Sequence, residues 1–138
     1  MKLVIDTNVL VSALRSGRGA AYRLLRTIRR DEIPFAISVA LVLEYEDVFS
    51  RPGMIPGLPP SAVIRFLDAF IAIAEHQAVY FMWRPYLPDP KDDLILEVAV
   101  AAGASHIVTY NGRDFRGAER FGLRVVTPVE LLRQRGEL

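Results

Sequence analysis

Asp6, Glu44, Asp93 and Asp114 stand where a chain of alternating strands and helices would gather carboxylates. Asp6 directly follows the apolar run Leu3-Val4-Ile5, and Glu44 comes just after Val39-Ala40-Leu41-Val42-Leu43. Asp93 lies in the first turn of a segment opened by Asp89-Pro90, and Asp114 follows His106-Ile107-Val108-Thr109. Clustered carboxylates repel, and desolvating them is costly unless a cation compensates. Mg²⁺ and Mn²⁺ prefer oxygen ligands, and one or two such ions activate a water for in-line displacement at phosphorus. That chemistry needs no Ser, Cys or His nucleophile. It suits a sequence with no Cys and two His, His76 and His106, neither in a metal-like spacing.

Each acid also has a plainer reading. Asp6 could cap the helix after it, since Asp is favoured there. Glu44 has acidic neighbours in Glu46 and Asp47 and could be a solvated helix residue. Asp89 is better explained as an N-cap than as a ligand. Glu97, one turn beyond Asp93 on the same face, reads as a structural acid. With 16 Asp and Glu in the chain, some convergence would arise by chance.

The elements that must position these groups alternate along the chain. Leu3 to Ile5 reads as a short strand buried on both faces. A short helix is expected over Val9–Leu14 and a second from Gly19 to about Asp31, with Leu24, Leu25 and Ile28 inward. Pro34 to Ile37 reads as a strand, after which Ser38 caps a helix ending near Phe49. The stretch from Arg51 to Pro60 has four Pro and two Gly and reads as a loop. Ser61 is expected to cap a strongly buried helix carrying Val63, Ile64, Phe66, Leu67, Phe70, Ile71 and Ile73. A short strand is expected at Ala78–Met82, and a helix from Asp89-Pro90 stopping at Gly103. Strands follow at His106–Thr109 and Leu123–Val126, and Thr127-Pro128-Val129-Glu130 reads as a capping box. Strands separated by helices predict a three-layer α/β/α domain around a parallel sheet of four or five strands, the first near its middle.

The 138 residues suit one domain, able to bury roughly 68% of its unfolded surface. The lack of Cys removes disulfides and thiolate zinc sites together. No apolar run approaches the roughly 20 residues of a membrane span, and Asp6 interrupts any signal-peptide core, so a cytoplasmic location is expected. Net charge is +1, but six Arg and no acid lie between Arg15 and Arg30, and six more Arg between Arg113 and Arg135. Such Arg groups are either solvated helix faces or a track for a polyanion beside an acidic pocket. Trp83 and Tyr86 sit in a Pro-bounded loop where packing, or a stacked base, would employ them.

The spacing of Asp93-Leu94-Ile95-Leu96-Glu97 through Gly103 to Thr109-Tyr110-Asn111-Gly112-Arg113-Asp114-Phe115 resembles the PIN-domain family, in particular its VapC-like ribonuclease toxins. The opening Val4-Ile5-Asp6-Thr7-Asn8 matches the family's start, and Ser38 with Glu44-Tyr45 resembles the segment carrying its glutamate. Carried over, Asp6, Glu44, Asp93 and Asp114 fall on the family's acidic metal pocket, and Asn8, Thr109 and Asn111 on polar positions beside it. The resemblance implies Mg²⁺- or Mn²⁺-dependent cleavage of RNA, inhibition by a cognate antitoxin, and homodimerisation. Asn111 stands where some relatives have Asp, which leaves the fourth acid to Asp114. The count back from Thr109 selects Asp93, with Asp92 as its substitute.

Two other functions compete. A degenerate PIN module would bind RNA or a protein without cutting. A haloacid-dehalogenase-like phosphatase also begins with a strand and an Asp, but its second Asp, two residues on, is Asn8 here. Arg15, Arg18 and Arg113 are placed to hold phosphates flanking a scissile bond.

Overall fold

In a computed structural model the described residues are 1–80 and 86–138. Strand β1 (Leu3–Ile5) is wholly buried, as its uninterrupted apolar run requires. It pairs in parallel with β4 (His106–Val108), Leu3 opposite His106 and Ile5 opposite Val108. β4 in turn pairs in parallel with β5 (Arg124–Val126). On the other side β2 (Ala36–Ile37) pairs with β3 (Glu75–His76). A single parallel bridge, Leu3 to Phe35, joins the three-stranded and two-stranded parts, with the Leu3 N–H donating to the Pro34 carbonyl at 3.0 Å. The spatial order is therefore β3-β2-β1-β4-β5, with β1 in the middle.

The helices layer against this sheet in the expected α/β/α class. They are α1 (Thr7–Arg15), α2 (Ala20–Arg30), α3 (Val39–Phe49), α4 (Pro60–Ile73), α5 (Pro90–Ala101) and α6 (Pro128–Gln134). α1 packs on α2 and α2 on α6, while α5 lies against β1, β2 and β4. Capping chemistry explains several starts. Ser38 Oγ accepts from the Leu41 N–H, and Asp89 Oδ1 from the Lys91 N–H. Thr127 and Glu130 form a reciprocal capping box. Two short 3-10 helices, Gly112–Phe115 and Ala118–Phe121, connect β4 to β5. Among the described residues no helix is long and apolar enough to cross a membrane.

Four expectations need correction. α1 begins at Thr7 rather than Val9. α4 is preceded by Pro59 in the cap position and begins at Pro60, so Ser61 lies inside the helix and caps nothing. Pro fixes the backbone torsion of a first helical turn, and two in succession set the start. α4 is not strongly buried: Val63, Leu67 and Phe70 face the core, whereas Ile64 and Ile73 are exposed. The third strand lies at Glu75–His76 instead of Ala78–Met82, because the Glu75 and Gln77 N–H groups donate to the Phe35 and Ile37 carbonyls at 2.8 Å. The tail of that expected strand and Trp83 lie outside the described residues.

Candidate active site

From β1 the chain leaves toward β2, and from β4 it leaves toward β5. Beyond the carboxyl ends of these adjacent strands lies the switch point where open parallel sheets bind ligands. Asp6 and Thr109 occupy it. Asp6 is 9% exposed, and its N–H donates to the Val108 carbonyl at 2.9 Å. It stands in the N-cap position of α1, where the Thr7 and Asn8 N–H groups favour its charged form, but its side chain makes no full capping hydrogen bond. Instead the Thr109 hydroxyl donates to Asp6 Oδ2 at 2.7 Å and accepts from the Asn111 N–H at 3.0 Å. Asn8 Oδ1 accepts from the Tyr110 N–H at 3.3 Å. Asn8, Thr109 and Asn111 thus knit the two strand ends around one carboxylate.

A cleft of about 510 Å³ opens beside Asp6. Its walls include Thr7, Asn8, Arg15, Glu44, Asp92 and Asn111. Glu44 reaches it because the next residue, Tyr45, is fully buried and donates its hydroxyl to the Ile5 carbonyl. That bond fixes the roll of α3 against β1 and turns the preceding side chain to the cleft. Burial pushes the Asp6 carboxyl above its ordinary range, against the bond from Thr109, and the charge of Glu44 adds to the rise. Asp92 is half-buried; desolvation first, then the charges of Asp6, Asp89, Asp114 and Asp93, push it up to about 7.

Asp93, the acid selected by the spacing, does not line the cleft. Its carboxylate is buried under the loop before α5, with Oδ1 accepting from the Leu87 N–H at 2.9 Å and Oδ2 from the Tyr86 N–H at 3.4 Å. Asp92 faces the cleft in its stead, together with Ile95 one turn on. The sequence did not separate the two because the residues after Asp93 are almost uniformly apolar and leave no stripe to phase the helix. Asp114 sits in the first 3-10 helix, outside the cleft wall but near enough for its charge to act on Asp92.

Among the described residues no three acids are gathered tightly enough to enclose an ion. The convergence expected of four carboxylates is looser than its sequence reading. The donor chemistry still fits a hard cation. Mg²⁺ keeps several waters and is commonly held through one or two carboxylates with substrate phosphate completing the shell. Asp6 and Asp92 supply two mutually destabilised carboxylates, and the buried Thr7 Oγ1 at the cleft wall has no hydrogen-bond partner among the described residues. Among the described residues two cations also border the cleft. Arg15 Nε donates to the Met54 carbonyl at 2.8 Å, and Lys91 Nζ lies 4.0 Å from Glu44 Oε1.

Comparison with known proteins completes the picture. A family model described as PIN domain matches residues 2–113. Among solved structures the fold is similar to a chain in the crystal structure of VapBC2 from Rickettsia felis bound to a DNA fragment from their promoter. The TM-score is 0.62 at 20% identity, covering 91% of this chain and 97% of that one. No curated protein matches the sequence significantly.

Proposed function

Because the chain belongs to the PIN domain family, we propose that it is a Mg²⁺- or Mn²⁺-dependent endoribonuclease and the toxin of a toxin–antitoxin pair. One observation carries the reading. Asp6 lies at the sheet's switch point, held by the Thr109 hydroxyl, with Glu44 and Asp92 facing the same cleft. The ion, when bound, supplies an activated water and charge stabilisation at phosphorus. Asp6 and Asp92 would hold it, Glu44 would add its charge beside Asp6, and Asp114 would reinforce the negative field from outside. Thr109 fixes the Asp6 carboxylate through its 2.7 Å bond. Arg15 at the cleft rim, with the exposed Arg18 and Arg113, would take flanking phosphates.

A cognate antitoxin and a second copy of the chain are the proposed partners. The exposed Ile64 and Ile73 on α4 offer apolar surface for such contacts. In support, the similar solved structure is a VapBC complex. The test is cleavage of a panel of structured RNAs with Mg²⁺, with Mn²⁺ and with EDTA. Cutting should need the divalent ion and should vanish in Asp6→Asn with the fold intact. Full activity in that variant removes Asp6 from the mechanism.

The loose spacing of the acids favours one rival, a PIN module that binds without cutting. Such a module would show little change in melting temperature on adding Mn²⁺, whereas a filled site is stabilised by mass action. The phosphatase alternative falls with family membership, and Asn8, in place of its second Asp, is engaged by the Tyr110 N–H.

A further inference from the structure

Asp93 has no part in the proposed chemistry, yet it anchors the backbone of Tyr86 and Leu87 through two hydrogen bonds. Leu87 is buried beneath that anchor, while Tyr86 is 38% exposed. A second constraint holds the ring from the far side. The Tyr86 hydroxyl donates to the Gly117 carbonyl at 3.4 Å, and the ring meets Phe121, 40% exposed, edge-on at 5.5 Å and 67°. Gly117 has φ +98°, and a Cβ there would come within 3.1 Å of the Tyr86 hydroxyl. Only glycine accommodates both that torsion and the close approach. A partly exposed aromatic pair is thus held by a buried carboxylate and a glycine.

The surroundings of the pair are cationic. Arg113, Arg116 and Arg120, on or between the two 3-10 helices, are exposed and carry no ion pair among the described residues. The Glu119 carboxylate beside them is engaged by the Gly117 N–H. Asp114 is the other acid there, and its charge acts on Asp92 at the cleft. The ledge therefore adjoins the cleft along two paths, through Asp93 next to Asp92 and through the 3-10 helix that carries Asp114.

We propose that Tyr86, braced edge-on by Phe121, forms a stacking ledge for an unpaired base of single-stranded RNA, with Arg113, Arg116 and Arg120 taking the neighbouring phosphates. The assignment rests on the ribonuclease reading. Aromatic faces stack any base, and cations beside them track the backbone. Only a splayed single strand presents both at once, since the bases of a duplex are stacked within it.

The test titrates wild-type protein in EDTA, so that nothing is cut, with short random-sequence single-stranded RNA carrying one 2-aminopurine. Binding should quench the fluorescence. Tyr86→Ala should weaken binding about tenfold and abolish the quench, while Tyr86→Phe keeps both. Phe121→Ala serves as a second variant should Tyr86→Ala melt early. Unchanged affinity and quenching in the alanine variants overturn the ledge, as does equal affinity for the same RNA as a duplex, or no binding to wild type. Mn²⁺-dependent cleavage by wild type is measured alongside. If wild type fails to cut, the ribonuclease reading fails; if wild type cuts and Tyr86→Ala cuts with the same KM, the ledge alone fails.

Discussion

Between Asp92 and Asp93 an α-helix turns by roughly 100°, which leaves one carboxylate in the cleft and the other against the backbone of Tyr86 and Leu87. Their substitutions should therefore part company. Asp92→Asn is expected to lower Mn²⁺ affinity at least about tenfold, by titration calorimetry, without loss of stability. Asp93→Ala leaves two N–H groups without their acceptor. It should cost about 1–3 kcal/mol in chemical denaturation while Mn²⁺ affinity stays close to wild type. Equal metal loss in both would place Asp93 back in the cleft. Asp6 was legible in the sequence because it ends an apolar strand, and the parallel topology carries that strand end to the switch point. The choice between Asp92 and Asp93 was not legible, since a helix apolar on every side carries no record of which face meets water.

At the level of the element, helix α3 shows how a cap and one buried hydroxyl aim a side chain. Ser38 sets the start through the Leu41 N–H, and Tyr45 sets the roll through the Ile5 carbonyl, so Glu44 meets the cleft. Ser38→Ala should cost about 1 kcal/mol of stability, read as a lower denaturation midpoint at unchanged slope. Starts that depend on local hydrogen-bond chemistry, at Ser38, Asp89 and Thr127, could be read from residue type alone. β3 could not. Its position follows the Phe35 and Ile37 carbonyls of the neighbouring strand, which accept from Glu75 and Gln77, and no apolar run marks it. α4 misled for the opposite reason, with more apolar residues than its one buried stripe needs.

For the molecule as a whole, the crowded acids should show in stability against pH. Asp92 titrates near 7 in the fold, well above an unfolded carboxyl near 4. Between those values the folded chain holds a proton that the unfolded chain has lost, so stability falls as pH rises through the window. In EDTA the melting temperature should rise on acidifying from about pH 8 to about pH 5.5, and Asp92→Asn should flatten that slope. His106 works the other way, since burial depresses its pKa and the unfolded chain takes up the proton first below about 6.5. Comparing wild type with the variant cancels that contribution. Asp31 and Glu137, held low by Arg30 first among their partners, lose their contribution only as pH falls below the ordinary carboxyl range. The sheet order has a consequence during synthesis. β1 leaves the ribosome first but finds its partner in β4, and Asp6 meets Thr109 across 103 positions of sequence. Throughout that interval the nascent chain carries its central strand with an open edge and holds no assembled centre. A translation product cut short before Thr109 is therefore both inert and sticky, a strand edge seeking any neighbour.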